Sequence, residues 1–104
     1  MTREAKLSFQ SVIEWRMKMY AKNVMISNPT GLHARPATQL VKLSESFQCD
    51  LQIIHDDNVA DPKRIFSLLA AGLSPGLTVT VKGVGVDEQE AVEKICSFIE
   101  ALEE

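Results

Sequence analysis

The sequence predicts an α+β fold in which a four-stranded, mainly antiparallel sheet is covered on one face by three helices. Short segments alternate apolar and polar residues, which is typical of strands with one buried face. Between them lie segments with apolar residues at helical spacing, and the resulting order is β-α-β-β-α-β-α. Because each strand has a single apolar face, we expect an open-faced β-sandwich whose other sheet face meets solvent.

The first half of this order depends on one proline and two alternating segments. Residues 24–27 form the first predicted strand, and the turn residues that follow end it. Apolar residues at helical spacing over 37–47 predict a helix, and Pro36 fits only its first turn. The helix should therefore begin near His33. Alternation over 49–53 predicts the second strand.

The second half begins with a brief strand around Val59. Asp61 is predicted to be the N-cap of the second helix, with Pro62 at its first helical position and Gly72 at its end. Alternation over 77–82 then predicts the last strand.

The two ends of the chain differ in character. Asp87 and Glu90 resemble a capping box ahead of a strongly periodic terminal helix. Residues 1–19 are predicted to be an extension, either an amphipathic helix or disordered, and 20–104 the folded domain. The extension could dock on the domain or on a partner, or be removed by translation from Met17 or Met19.

Composition excludes several classes of function. The chain has 11 basic and 14 acidic side chains, so no basic field exists to hold nucleic acid. No apolar run approaches the roughly 20 residues that span a bilayer, and no signal-peptide pattern is present, so we expect a cytoplasmic protein. Cys49 and Cys96 form no C-x-x-C unit and are expected to be reduced core thiols rather than a disulfide.

The segment Gly31-Leu32-His33-Ala34-Arg35-Pro36-Ala37 carries the clearest chemistry. The first-turn amides of a helix lack intrahelical partners and favour an anion such as a phosphoryl group. Arg35 adds a planar fork of donors to phosphoryl oxygens. The same positive surroundings should keep His33 neutral and nucleophilic near pH 7. Alone, such a histidine is more often an inert, exposed helix-capping residue.

This segment resembles the active-site segment of the HPr family, the histidine-containing phosphocarriers of the bacterial sugar phosphotransferase system, and the resemblance runs from about Tyr20 to Leu102. It implies that enzyme I phosphorylates His33 on its δ1 nitrogen with a group from phosphoenolpyruvate, and that an enzyme IIA domain receives the group. It also implies that Arg35 assists transfer and that the amides of Ala34 and Arg35 meet the phosphoryl group.

The second helix carries the other informative stretch. The resemblance implies that Ile65, Phe66 and Leu69 form an apolar surface for partners; core packing is the alternative. Helical spacing requires one large apolar side chain to face outward, and we favour Phe66. Many family members have a serine that HPr kinase phosphorylates where this chain has Arg64, so that regulation is in doubt, and Ser67 is a poor substitute.

The leading hypothesis is thus a monomeric phosphocarrier that acts as a co-substrate more than an enzyme, with no cofactor and no metal. His55, beside two aspartates in a predicted turn, is expected to be solvated rather than a metal ligand. A regulatory module, whose phosphorylation state is read by a target protein without sugar transport, is the alternative. A noncatalytic interaction domain is the third hypothesis.

Overall fold

The computed structural model describes residues 19–104 and confirms the predicted order of elements. The predicted helical or disordered extension lies outside the described residues, apart from Met19, which belongs to the first strand. The elements are β1 (Met19–Met25), α1 (Ala34–Glu45), β2 (Asp50–His55), β3 (Asn58–Ala60), α2 (Ile65–Ala70), β4 (Thr78–Val84) and α3 (Glu88–Ala101).

The four strands form one sheet in the order β1-β4-β2-β3, and every neighbouring pair is antiparallel. β4 lies in the middle, where Val79 pairs with Val24 of β1 and Val81 pairs with Ile53 of β2. The three helices cover one face of this sheet, which confirms the open-faced sandwich. β3 is short, so it protects only the second half of β2 at that edge.

The hydrophobic core lies between the sheet and the helices. Each strand contributes alternate residues to it, and each helix contributes one apolar stripe. Burying a large aliphatic side chain stabilises the fold by about 1.5 to 3 kcal/mol, so these positions supply most of the driving force. The largest fully buried apolar side chains are Ile26, Leu32, Leu40, Ile53, Leu68, Leu73, Ile95 and Ile99.

The first strand begins earlier than its sequence predicts. β1 spans Met19–Met25, whereas apolar patterning had placed a strand at 24–27. Its first half pairs with β4 through backbone groups, although several of its side chains are exposed. Alternation of apolar and polar residues reveals a strand only where one face is buried. The first half of β1, at the edge of the sheet, is mostly exposed and was therefore missed. Ile26 continues the pairing through backbone hydrogen bonds to Leu77 and Gly76.

The start of α2 was also predicted wrongly. The helix begins at Ile65 with Arg64 as its N-cap, not at Pro62 with Asp61 as the cap. The Asp61 carboxylate accepts a hydrogen bond from the Lys63 amide at 2.9 Å, and the Asp61 carbonyl accepts one from the Arg64 amide at 3.0 Å. Asp61 and Pro62 therefore form a turn that precedes the helix.

The capping box predicted for α3 does not form. Asp87 is the N-cap residue by position, but its side chain makes no cap hydrogen bond. Its two carboxylate oxygens accept hydrogen bonds from the amides of Gln48 and Cys49, at 2.8 and 2.9 Å. Glu88, rather than Glu90, accepts a hydrogen bond from a backbone amide before the helix, that of Gly85.

Both cysteines are free and buried, as predicted. Burial raises the pKa of the Cys49 thiol to about 11, with a further contribution from Asp87. His55 is the last residue of β2 rather than a turn residue, and its Nδ1 lies 3.3 Å from the carbonyl oxygen of Thr78. No helix within residues 19–104 has both the length and the apolar character needed to cross a membrane.

Candidate phosphoryl-carrier site

The N terminus of α1 places His33 at the surface. His33 is the N-cap residue, with an extended backbone (φ −122°, ψ 164°) and a half-buried ring. Its side chain makes no cap hydrogen bond, and its carbonyl accepts one from the Ala37 amide at 3.5 Å. The imidazole is therefore not used to cap the helix, and it remains accessible beside the first-turn amides.

A tight loop holds the residues before His33 in place. Gly31 has φ +66°, and a Cβ atom there would lie 2.5 Å from the Leu73 carbonyl oxygen. The buried Asn28 amide side chain donates to the Gly31 carbonyl at 2.9 Å, and the Gly31 amide donates to Asn28. Leu32 is fully buried and donates through its amide to Leu73 at 2.9 Å. These contacts fix the position of the backbone that precedes His33.

The first turn of α1 combines a strained backbone with exposed donors. Ala34 has φ +51°, in the left-handed region, which costs a residue other than glycine about 1 to 2 kcal/mol. Because the first amides of a helix have no partner one turn earlier, those of Ala34 and Arg35 are left without an intrahelical acceptor. Thr38 donates its hydroxyl to the Ala34 carbonyl at 3.2 Å and closes this turn.

Arg35 extends from the same turn into solvent, with 72% of its side chain exposed. Its Nη1 lies 3.7 Å from the Glu104 carboxylate, a contact too long to be a strong bidentate pair. The backbone carbonyl of Glu104 accepts hydrogen bonds from the amide and the hydroxyl of Thr30. The C-terminal segment therefore lies beside the candidate site. The side-chain carboxylate of Glu104 competes with other anions for Arg35.

The second candidate surface lies on α2, which contacts α1. Phe66 is 82% exposed, as helical spacing predicted, and Leu69 is 37% exposed. Ile65 is half-buried, whereas Leu68 is fully buried and holds the helix on the core. Arg64, which the resemblance aligned with a regulatory serine, is exposed and carries no hydroxyl.

Sequence reasoning missed three residues that shape this region. Asn28 supports the loop before His33, Glu104 lies beside Arg35, and Lys63 anchors the turn before α2 through contacts with Phe47 and Cys49. Asn28 carried a turn signal but no sign that it would be buried. The contacts of the other two join distant parts of the chain, for which a single sequence gives no local signal.

No metal centre accompanies the site in the part of the chain from Met19 onward. There, no group of three or more His, Cys, Asp or Glu side chains is arranged to hold a metal ion. What the arrangement offers is one accessible imidazole, first-turn backbone donors and an exposed guanidinium that makes only a long contact with Glu104. Such a set can bind the anionic oxygens of a group while a nitrogen nucleophile beside them attacks it.

Comparison with known proteins agrees with this chemistry. A family model described as the PTS HPr component phosphorylation site matches residues 20–101, which include His33. This match, over an open-faced sandwich with a histidine at a helix N terminus, assigns the chain to the class of small phosphocarrier proteins. The chain is a member of the HPr family of the phosphotransferase system.

Individual relatives show how far the similarity extends. The phosphocarrier protein HPr of Haemophilus influenzae is 38% identical over 85 residues, which cover 82% of this chain and all of that protein. HPr-C-His from Thermoanaerobacter tengcongensis has a solved structure with a TM-score of 0.76 and 32% identity, covering 79% and 92% of the two chains. Crh, the Bacillus subtilis catabolite repression HPr, has a TM-score of 0.63 and 32% identity, covering 80% and 99%.

Proposed function

We propose that His33 accepts a phosphoryl group from phospho-enzyme I and passes it to an enzyme IIA domain for sugar uptake. The observation that carries this proposal is the N-cap position of His33, where the ring is accessible and makes no capping hydrogen bond. We propose a cytoplasmic location, because enzyme I takes the phosphoryl group from phosphoenolpyruvate. A carrier must expose its histidine to successive partners, which favours a monomer.

In this mechanism the Nδ1 lone pair of neutral His33 attacks phosphorus. A bond forms between nitrogen and phosphorus while the bond from phosphorus to the donor breaks, and its electron pair stays with the donor. The amides of Ala34 and Arg35 and the guanidinium of Arg35 receive the charge on the phosphoryl oxygens. Transfer to the acceptor reverses these steps, so the site must stabilise the bound phosphoryl group only modestly.

Docking uses the apolar side chains of α2. Phe66 and Leu69 expose apolar surface next to α1, and Ile65 supports them from a half-buried position. Desolvation of an exposed aromatic ring is a common source of binding energy in transient complexes. Arg64 cannot accept a phosphate, so we propose that this chain is not regulated at that position by an HPr kinase.

The test of phosphoryl transfer uses the two histidines of the chain, His33 and His55. With enzyme I and phosphoenolpyruvate, the intact mass should rise by one acid-labile phosphoryl group, and an enzyme IIA domain should remove it. His33→Ala should abolish the gain, whereas His55→Ala, the matched control, should keep it. An unchanged mass for the natural sequence, or a gain that persists in His33→Ala, would overturn the proposal.

The same assay tests the proposed division of the chain. The family match begins at residue 20 and runs to residue 101. We therefore propose that the domain 20–104 suffices for transfer, and a chain that begins at Met19 should be phosphorylated as fast as the full chain. Loss of transfer in the shortened chain would assign the extension a direct role.

A regulatory module is the second candidate function. It is favoured by the similarity to Crh, whose name assigns it to catabolite repression. In that case His33 would still be phosphorylated, but no enzyme IIA domain would discharge it. Discharge by an enzyme IIA domain within seconds supports the carrier, whereas a phosphorylated chain that stays loaded supports the regulatory module.

A further inference from the structure

The side chain of Lys63 joins the turn before α2 to the connection that follows α1. Its Nζ donates hydrogen bonds to the backbone carbonyls of Phe47 at 2.8 Å and Cys49 at 2.7 Å. These carbonyls belong to the connection between α1 and β2 (residues 46–49). Lys63 directly precedes Arg64, the N-cap of α2. Its ammonium therefore connects the N-terminal end of that helix to a part of the fold that is distant in sequence.

The backbone around Lys63 is anchored as well. The Lys63 amide donates to the Asp61 carboxylate at 2.9 Å, and the Asp61 amide donates to the Ser67 hydroxyl at 2.8 Å. Ser67 lies inside α2. The turn before α2 is thus bonded to the helix on one side and, through Lys63, to the 46–49 connection on the other.

The connection that receives Lys63 is itself held from the opposite side. The Asp87 carboxylate accepts the amides of Gln48 and Cys49, while the Lys63 ammonium binds the carbonyls of Phe47 and Cys49. A cation and an anion therefore bind the polar groups of one short backbone segment. Charge-assisted hydrogen bonds of this kind are stronger than neutral ones, so the segment is a firm anchor for α2.

α2 depends on such an anchor because apolar packing holds it weakly. The helix has six residues, too few for stability on its own, and only Leu68 is fully buried. Phe66 and Leu69 face solvent instead of the core. Without the polar contacts of Lys63, the buried Leu68, the half-buried Ile65 and the hydrogen bond to Ser67 would be left to fix the orientation of this helix.

We infer that Lys63 is a positioning residue for partner docking: it fixes the angle at which α2 presents Phe66 and Leu69 to other proteins. This inference rests on the proposed function. Because Lys63 bonds to the backbone at 47 and 49 rather than to the first turn of α1, its loss should weaken association and leave the transfer step intact.

The test measures steady-state phosphoryl transfer from enzyme I to Lys63→Met, which keeps the apolar stem and loses the donors. The KM for the carrier should rise about tenfold, the effect of losing roughly one charge-assisted hydrogen bond from the docking geometry, and kcat should change less than twofold. Lys82→Met is the matched control, since Lys82 lies on the open face of the sheet and the charge change is identical. Its KM should stay constant.

A further variant separates positioning from folding. Lys63→Arg keeps a cation with several donors, so it should restore most of the lost affinity if donation to Phe47 and Cys49 is what counts. An unchanged KM in Lys63→Met, or an equal rise in Lys82→Met, would overturn the inference, as would a loss of kcat without a change in KM. If the unsubstituted chain accepts no phosphoryl group, the proposed function fails and this inference fails with it.

Discussion

At the scale of single residues, Gly31 sets the position of the candidate site. Its φ of +66° and its approach to Leu73 leave no room for a side chain, because an added Cβ would lie 2.5 Å from the Leu73 carbonyl oxygen. Gly72 has a similar φ of +63°, but no atom lies within 4 Å of its added Cβ. Alanine substitutions at the two glycines therefore separate the cost of backbone strain from the cost of steric overlap.

Gly31→Ala should lower the free energy of unfolding by about 3 kcal/mol. About 1 kcal/mol of this comes from the left-handed backbone and about 2 kcal/mol from overlap with a backbone atom that moves only with the loop. Gly72→Ala should cost only the first part, about 1 kcal/mol. Urea denaturation measures both, and equal losses would show that the close approach to Leu73 does not constrain the loop.

Residue identity predicted part of the site and missed the rest for a physical reason. His33 and Arg35 could be singled out because their chemistry is local to one short segment, and Phe66 because the family resemblance and helical spacing both drew attention to it. The contacts of Lys63 and Glu104 join residues far apart in the chain, and nothing in the neighbouring sequence specifies their partners. Donors and acceptors paired by tertiary structure are visible only once the fold is known.

At the scale of elements, the ends of helices were harder to predict than their interiors. Apolar spacing located α1 and α3, and cap and turn residues located α2. Asp61 is not the N-cap of α2, and Asp87, although it is the N-cap of α3 by position, makes no capping hydrogen bond. An aspartate accepts hydrogen bonds from any nearby amide, and here Lys63 in one case and Gln48 and Cys49 in the other offer them. Sequence spacing cannot distinguish a cap from these alternatives.

The Asp87 carboxylate should make stability depend on pH. The hydrogen bond from the Gln48 amide, above all, lowers the pKa of Asp87, and the Cys49 thiol and amide add to this effect against an opposing contribution from burial. Because the pKa is lower in the folded state, the stabilisation is complete above the unfolded value of about 3.9. It is lost as the pH falls through the folded value.

Asp87→Asn should therefore lower the urea midpoint at about pH 7, and its deficit relative to the natural chain should shrink as the pH falls from about 5 to about 2. Asp57→Asn is the matched control, because Asp57 is exposed in the turn between β2 and β3. A deficit for Asp87→Asn that stays constant with pH would show that the ionised carboxylate does not hold the 46–49 connection.

At the scale of the whole molecule, the layer architecture followed from one property of the strands. Each strand has a single apolar face, so the three helices had to cover the same side of the sheet. The order β1-β4-β2-β3 could not be obtained in this way, because pairing between strands distant in sequence leaves no local pattern. That order places β4 in the centre of the sheet, and α1, whose N-cap is His33, lies over the same face of the sheet as the other two helices.

The central claim is that the opening turn of α1 receives a phosphoryl group on His33. Nuclear magnetic resonance of the ¹⁵N-labelled chain, before and after phosphorylation by enzyme I and phosphoenolpyruvate, tests it most directly. We predict phosphorus coupled to His33 Nδ1, together with downfield shifts of the Ala34 and Arg35 amide protons as they donate to the phosphoryl oxygens. Phosphorus bonded to any other residue, or amide signals at Ala34 and Arg35 that do not move, would contradict the account.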